Sequence, residues 1–561
     1  MSVLAATRTR FSSDLRTIVR DVGSLLSMQA VLMTASVLVA LAFREFYPAG
    51  AFVLATAITG TVGVAARRTC ADAPAPKMKH GMVIAAGGWL STAVFGALPF
   101  LFAAHLVPPS VMATYVPADA TWDAVTVFGT TSRSSLVYFR HPLHAVFESM
   151  SGWTGSGLTM AIHEPSLPRA FQWWRSLIQW VGGVGVIVLT VSILARPGSG
   201  SYALYRSEAR EQKIHPSIVS TVRTVWKIFL GYTVLSVVAL FVAIRLSEYG
   251  SSLPLWRAGW QALNHAMTGL STGGFSVTDN SIATYDSVLI ESFLLPIMTL
   301  GAIAFPIHYA VLHDRDWSKL RGDLQTQWLF VLLGVGVVVL SIQNALSVQA
   351  VPDAFAAQGF LPEGIPLGAR TTDAVRDSTF QWVSALTCTG FQSAPIGRWA
   401  EGGKLVVSGA MVLGGAAGST VGGIKIVRGY TVARGIGWQF GRVFLPSNAV
   451  ITARIGDRTL NRESMEREFN EAMVVTILWL VLLAVSSVLL VNAVGPDFSY
   501  ADALFEVASA QGNVGLSTGI TGPSMPAGAE AMFLLNMWVG RLEIIPVLVF
   551  ARSALYGLEP R

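Results

Sequence analysis

The residues with the clearest chemical potential in this chain are small and uncharged. Four stretches are variants of one pattern: Ser151-Gly-Trp-Thr-Gly-Ser-Gly157-Leu158, Thr268-Gly-Leu-Ser-Thr-Gly-Gly274-Phe275, Ser384-Ala-Leu-Thr-Cys-Thr-Gly390-Phe391 and Ser509-Ala-Gln-Gly-Asn-Val-Gly515-Leu516. The aligned glycine recurs in steps of 117, 116 and 125 residues. Glycine enters left-handed and extended conformations without a Cβ clash, so successive carbonyls can face one axis. Four equivalent pieces around an axis make a ring, and a ring of carbonyls across a membrane replaces the hydration shell of a cation. The backbone ligands expected on this reading are Thr154, Gly155, Ser156 and Gly157; Ser271, Thr272, Gly273 and Gly274; Thr387, Cys388, Thr389 and Gly390; and Gly512, Asn513, Val514 and Gly515. Small-residue runs also make ordinary helix-packing surfaces in membranes. Four aligned copies at matched spacing favour the ring.

A second concentration of glycine is Gly414-Gly-Ala-Ala-Gly-Ser-Thr-Val-Gly-Gly423, followed by Ile424-Lys425. Five glycines in ten residues cannot hold a straight helix, since each costs about 1 kcal/mol relative to alanine. A break within a span leaves backbone groups that need a water-lined cavity. Gly414, Gly415, Gly418, Ser419, Thr420, Gly422, Gly423 and Lys425 are therefore expected in a loop that obstructs the pore and moves with the helices; a passive kink is the alternative. Arg541 lies inside the last apolar run, where an ionised residue must face protein or water. Its reach fits the carbonyls of the broken loop or the carboxylate of Glu543. Glu148 and Glu506 occupy equivalent places ahead of the first and fourth glycines, either keeping the outer mouth negative or accepting from nearby N–H groups. His144 and His265 read as polar groups near the outer rim. Glu291 and His308 are the only obvious proton carriers. No serine has a histidine or aspartate at activating spacing, which leaves an enzyme reading unsupported.

The elements that must position these residues are membrane helices. Hydrophobic residues make up 52% of the 561 and charged ones 13%, with a mean hydropathy of +0.54. Ten runs are long enough to cross a hydrocarbon core of about 30 Å: 25–43, 51–65, 82–104, 171–194, 225–244, 288–312, 328–348, 405–427, 472–494 and 531–556. Before each glycine segment comes a short amphipathic stretch, at about 143–150, 256–267, 379–383 (or from Asp373) and 500–508. About ten residues reach only halfway through a bilayer, so these are expected as re-entrant half-helices, their negative C-terminal ends favouring a cation. Lys and Arg concentrate in the N-terminal tail, the C-terminus and the loops 66–80, 196–227, 313–321 and 425–467, which carry 27 of the 39. That asymmetry places both termini in the cytoplasm and makes the net charge of +6 a topology signal, not a nucleic-acid signal. The two cysteines, Cys70 and Cys388, provide no disulfide framework and no metal-ligand spacing.

With these residues in view, the sequence resembles the superfamily of K⁺ transporters that includes TrkH and KtrB. The resemblance covers nearly the whole chain beyond residue 80. It rests on the four glycine segments, on Trp174-Arg-Ser-Leu-Ile-Gln-Trp-Val-Gly-Gly-Val-Gly185, on Gly414 to Lys425, and on Gly540-Arg-Leu-Glu543. The two extra N-terminal spans and the Arg-Leu-Glu ending resemble the TrkH branch, whereas Val514-Gly-Leu-Ser517 reads closer to KtrB. The fold implied is an all-α membrane protein with four tandem helix–pore-loop–helix repeats around a pseudo-fourfold pore, plus two N-terminal transmembrane helices. The divisions expected are an N-terminal pair over 1–80 and repeats over 81–200, 201–322, 323–445 and 446–561. The resemblance also implies K⁺ at the filter glycines Gly157, Gly274, Gly390 and Gly515, gating by the glycine loop with Arg541, and a homodimer in the inner membrane of a bacterium. It further implies a separate cytoplasmic regulatory ring of the TrkA/KtrA type carrying NAD or ATP/ADP, with no cofactor in this chain. In related plant transporters a serine at the first filter glycine accompanies Na⁺ transport; here that position is Gly157. A Na⁺-permeable or H⁺/Na⁺-coupled transporter, and the K⁺-importing subunit of an ATP-driven pump, are the alternatives.

Overall fold

The computed structural model describes residues 2–194, 218–356, 368–444, 452–456 and 458–558. Most of the basic loop 196–227, and the divisions between the first and second and between the third and fourth repeats, fall outside these residues. The described residues are all-α apart from two hairpins, Val125–Val127 with Thr130–Ser132 and Ala453–Ile455 with Arg458–Leu460.

Two N-terminal helices, Ser2–Ala42 and Phe46–Thr69, pack along each other. A Cβ on Gly63 would stand 2.7 Å from Ser27 N, so the backbones approach as closely as small residues allow. Four units follow, each a leading helix, a half-helix, an irregular segment and a trailing helix. The leading helices are Met78–Gly96 continued by Leu98–Leu106, then Ile218–Leu246, Leu324–Ser347 and Arg462–Ala493. Their outward faces are apolar. In Leu324–Ser347 the buried Leu329, Leu333, Gly336, Leu340 and Asn344 recur at helical spacing, while Val331, Val335, Val338, Ile342 and Leu346 are exposed. Such a greasy exterior is stable only against lipid.

The half-helices are Pro142–Thr154, Leu255–Leu270, Ala369–Leu386 and Tyr500–Gly512. At 13 to 18 residues they span about 20–27 Å. The third is far longer than its apolar stretch suggests. Its early turns carry charge, and Arg376 there grips Glu291 at 2.7 Å and Asp286 at 3.0 Å, which satisfies groups that hydropathy counts against a helix.

The trailing helices depart most from expectation. Only the first, Arg169–Leu194, runs unbroken. The run 288–312 is two helices, Val288–Ala302 and Phe305–Leu312, bent by 106°, and 531–556 is Ala527–Leu542 and Ile544–Tyr556, bent by 115°. The third is interrupted as expected, between Glu401–Val412 and Ile426–Val443. Proline explains part of the difference. Pro306 and Pro546 fall in the first turn after each unexpected break, where the missing N–H is harmless and the preceding backbone is pushed from helical geometry.

The segment 105–140 forms a small cap: a helix Pro109–Tyr115, the first hairpin and a 3-10 turn Ser135–Arg140 leading into the first half-helix.

A four-segment ring above a broken helix

Each half-helix ends in the same backbone figure. The N–H of Ser156, Gly273, Thr389 and Val514 donates to the carbonyl of Ser151, Thr268, Ser384 and Ser509, at 2.8–2.9 Å. Two residues before each aligned glycine the chain is left-handed: Gly155 (φ 71°), Thr272 (53°), Cys388 (50°) and Asn513 (55°). The aligned glycines are left-handed too, at 80°, 77°, 78° and 106°. Thr272 is β-branched, and that conformation costs it about 1–3 kcal/mol. The surrounding contacts must therefore enforce it.

The four segments close on one another in order. A Cβ added to Gly157 would lie within 3.0 Å of the Gly273 carbonyl oxygen; one on Gly274 would meet Thr389 O, one on Gly390 Val514 O, and one on Gly515 Ser156 O. First touches second, second third, third fourth, and fourth first. All four glycines line one cavity of about 870 Å³ that opens above the ring, walled also by Thr159, Gln392 and Thr518. At its wall burial pushes the Glu164 carboxyl up to about 8, against the opposing pull of Arg175.

Nine residues ahead of each glycine stands a side chain that ties down the outgoing strand. Glu148 accepts from Met160 N and Thr159 Oγ1, and Gln381 Nε2 donates to Ser393 Oγ. Glu506 accepts from the N–H of Thr518, Gly519 and Ile520 and from the hydroxyls of Ser517 and Thr521. The two carboxylates therefore accept from nearby N–H groups of the segments that follow the glycines, one of the two roles the sequence leaves open. His265 belongs to the same set and is no rim residue: it is 1% exposed, with Nε2 accepting from Val277 N and paired with Ser276 Oγ. Glu506→Gln removes the charge from an acceptor that the Thr518 hydroxyl also reaches, six donors in all. It is expected to cost about 2 kcal/mol, read as a lower melting midpoint of the detergent-solubilised protein.

Arg175 and Gln179, in the Trp174–Gly185 stretch, carry roles that the sequence did not reveal. Arg175 pairs with Glu148 at 2.6 Å, donates to Ser276 O at 2.9 Å and lies 4.1 Å from the centroid of Phe275. Gln179 donates to Gly273 O at 2.5 Å and accepts from Phe275 N at 3.0 Å. The first trailing helix thus clamps the second segment, and the Gly273 carbonyl is engaged by protein. Only a count of buried polar residues on that apolar helix could have flagged them.

Below the ring, Gly414–Gly423 runs as an irregular loop. Leu413 and Ile424 pair in parallel at its neck, and Gly418 and Gly423 take φ of 78° and 67°. The loop is tied to the break in the second trailing helix: Ala416 N donates to Ala302 O, Thr420 N to Gly301 O and Phe305 N to Gly418 O. It touches the ring directly through Thr420 Oγ1 and Thr272 Oγ1 at 2.9 Å, and a Cβ on Gly422 would meet Gly512 O. Ala417 N donates to Gln325 Oε1 at 2.7 Å, and Lys425 Nζ reaches back to Val421 O. Ser419 caps its own turn through Ala416 O. Arg541, 6% exposed, donates to Thr420 O at 2.5 Å, Gly182 O at 2.9 Å and Gly183 O at 3.2 Å. It does not pair with Glu543. That carboxylate stands at the bend of the last span with φ 63° and is bound bidentately by Arg428 at 2.7 and 3.1 Å. The bend turns Glu543 toward the helix that follows the loop, away from Arg541.

Comparison with known proteins agrees with this geometry. The family described as TrkH, cation transport protein, matches residues 80–556. An uncharacterized cation transporter of Methanocaldococcus jannaschii is 31% identical over 474 residues, covering 84% of this chain and 82% of that one. The Trk system potassium uptake protein TrkH of Halomonas elongata is 28% identical over 553 residues, 97% of this chain and 99% of its own. The crystal structure of the potassium transporter TrkH from Vibrio parahaemolyticus superposes with a TM-score of 0.73 at 23% identity, over 97% of this chain and 99% of that one. The chain therefore belongs to the TrkH family, and is a multi-pass membrane cation transport protein and not an enzyme.

Proposed function

We propose that this chain imports K⁺ across the cytoplasmic membrane of a bacterium, with both termini inside. The observation that carries the reading is the closed cycle of glycine contacts, which brings four backbone segments to one centre under a cavity of about 870 Å³. K⁺ loses its hydration there against carbonyls of residues 154–157, 271–274, 387–390 and 512–515. Gly273 contributes least, because Gln179 already engages its oxygen. The ion then meets the glycine loop 414–423, held by Arg541, and passes when the loop is drawn aside. An inside-negative membrane supplies about 2.3 kcal/mol per elementary charge per 100 mV, so no coupled ion is required. Coupling is disfavoured by the two expected proton carriers: Glu291 is bound by Arg376, and His308 is held between Leu300 O and Tyr232. Two copies pair in the lipid, each with its own pore, and a TrkA/KtrA-type cytoplasmic ring binding NAD or ATP/ADP supplies the force on the loop. Divisions near residues 80, 200, 322 and 445 separate the N-terminal pair and the four pore units.

The test is a K⁺-uptake-deficient cell carrying this chain together with such a ring. Rescue of growth at low external K⁺ is expected. Absence of rescue with the protein present in the membrane overturns the reading, and rescue accompanied by equal Na⁺ uptake replaces it with a non-selective cation pathway.

A further inference from the structure

Outside the lining of the cavity above the ring, three metal-ligand side chains converge without an assigned role. His141 and His144 sit one turn apart at the start of the first half-helix, their rings 4.5 Å apart between centroids. Glu530 comes from the first turn of Ala527–Leu542, nearly 400 residues later, and is fully buried. One ligand atom from each of the three lies within 4.8 Å of the others. His144 Nδ1 and Glu530 Oε1 share a hydrogen bond of 2.9 Å. The other two groups are unspent: Glu530 Oε2 and His141 Nδ1 are buried and have no hydrogen-bond partner. Native proteins seldom leave a buried carboxylate oxygen unpaired, because its desolvation is then uncompensated.

We propose that His141, His144 and Glu530 form a binding site for a late first-row divalent cation, Zn²⁺ being the type. Two imidazole nitrogens and one carboxylate oxygen are a donor set that suits Zn²⁺, and too poor in oxygen for Mg²⁺ or Ca²⁺. Bond lengths of about 2.0–2.2 Å place tetrahedral ligands about 3.3 Å apart. The His144–Glu530 pair at 2.9 Å is already near that spacing, and the remaining separations, within 4.8 Å, close by up to roughly 1.5 Å on the ion. The partly exposed ring of His141, under the parallel ring of Phe128 at 5.7 Å, leaves the fourth position to water. The ion joins the first pore unit to the fourth and fixes the helix whose far end carries Arg541. Binding itself is independent of which ion permeates.

The test uses the full-length protein in detergent, stripped with EDTA and titrated with Zn²⁺, Mg²⁺ or Co²⁺. Zn²⁺ is expected to raise the melting midpoint by several degrees and Mg²⁺ to leave it unchanged. Co²⁺ is expected to give the visible absorption of four-coordinate N/O ligation. His141→Ala, which removes the least buried ligand, is expected to raise the half-saturating Zn²⁺ concentration at least tenfold with the metal-free midpoint preserved. Glu530→Gln is expected to abolish the Co²⁺ band. A wild-type protein with neither a Zn²⁺-dependent shift nor a Co²⁺ band overturns the proposal. So does undiminished binding in His141→Ala, which places the ion elsewhere.

Discussion

Gly157→Ser is expected to lower K⁺ discrimination over Na⁺ by at least about tenfold while the protein still reaches the membrane. The backbone there has φ 80°, and a Cβ would press on Gly273 O, within 3.0 Å. The neighbouring oxygen cannot retreat freely, because Gln179 holds it. The first segment must therefore shift, and one quarter of the coordination ring moves with it. About 1.4 kcal/mol of lost preference is enough for a tenfold change, a small demand on carbonyls displaced by a few tenths of an ångström. Paired K⁺ and Na⁺ uptake rates in the deficient cell measure the effect. Gly390→Ala is the more severe variant, since its Cβ would overlap Val514 O. An unchanged ratio in Gly157→Ser, at equal expression, removes the four-segment ring from the selectivity argument.

Arg541→Met is expected to increase uptake in the absence of a regulatory partner by about tenfold. Methionine keeps much of the volume but gives up all three carbonyl contacts, two of which bind the first trailing helix and one the loop. Hydrogen bonds from a charged donor contribute about 1.5–3 kcal/mol each, so even one of them sets a loop equilibrium. Removing the charge also removes electrostatic repulsion from the path of a cation. Arg541→Lys separates the two effects: it keeps the charge but cannot present a planar fork to three oxygens, and an intermediate rate is expected. Uptake in Arg541→Met at or below that of the parent would show that the loop is not held shut by this residue.

The correspondence between sequence and structure was uneven for identifiable reasons. The half-helices and glycine segments were legible because a membrane imposes a strict rule: short apolar stretches and glycine-rich backbone inside it need protein around them. The interruption at 414–423 was legible because five glycines concentrate in one place. The breaks at 303–304 and 543 carry a weaker mark, a single proline just beyond, set in otherwise apolar runs. The third half-helix was underestimated because hydropathy scores Arg376 as a cost when Glu291 and Asp286 offset it. Nothing local marks Arg428 as the partner of Glu543, 115 residues distant.

Composition and repetition alone determined that this chain lives in lipid, that it is built from one unit used four times, and which glycines correspond. They could do so because burial in a bilayer and backbone freedom are properties of a residue and its near neighbours. Tertiary structure alone decided the order in which the segments touch, the transfer of Gly273 O to Gln179, the direction Arg541 points, and the meeting of His141, His144 and Glu530. Each of these is a contact between residues far apart in the chain. Its energy depends on distance and angle, which no local pattern encodes.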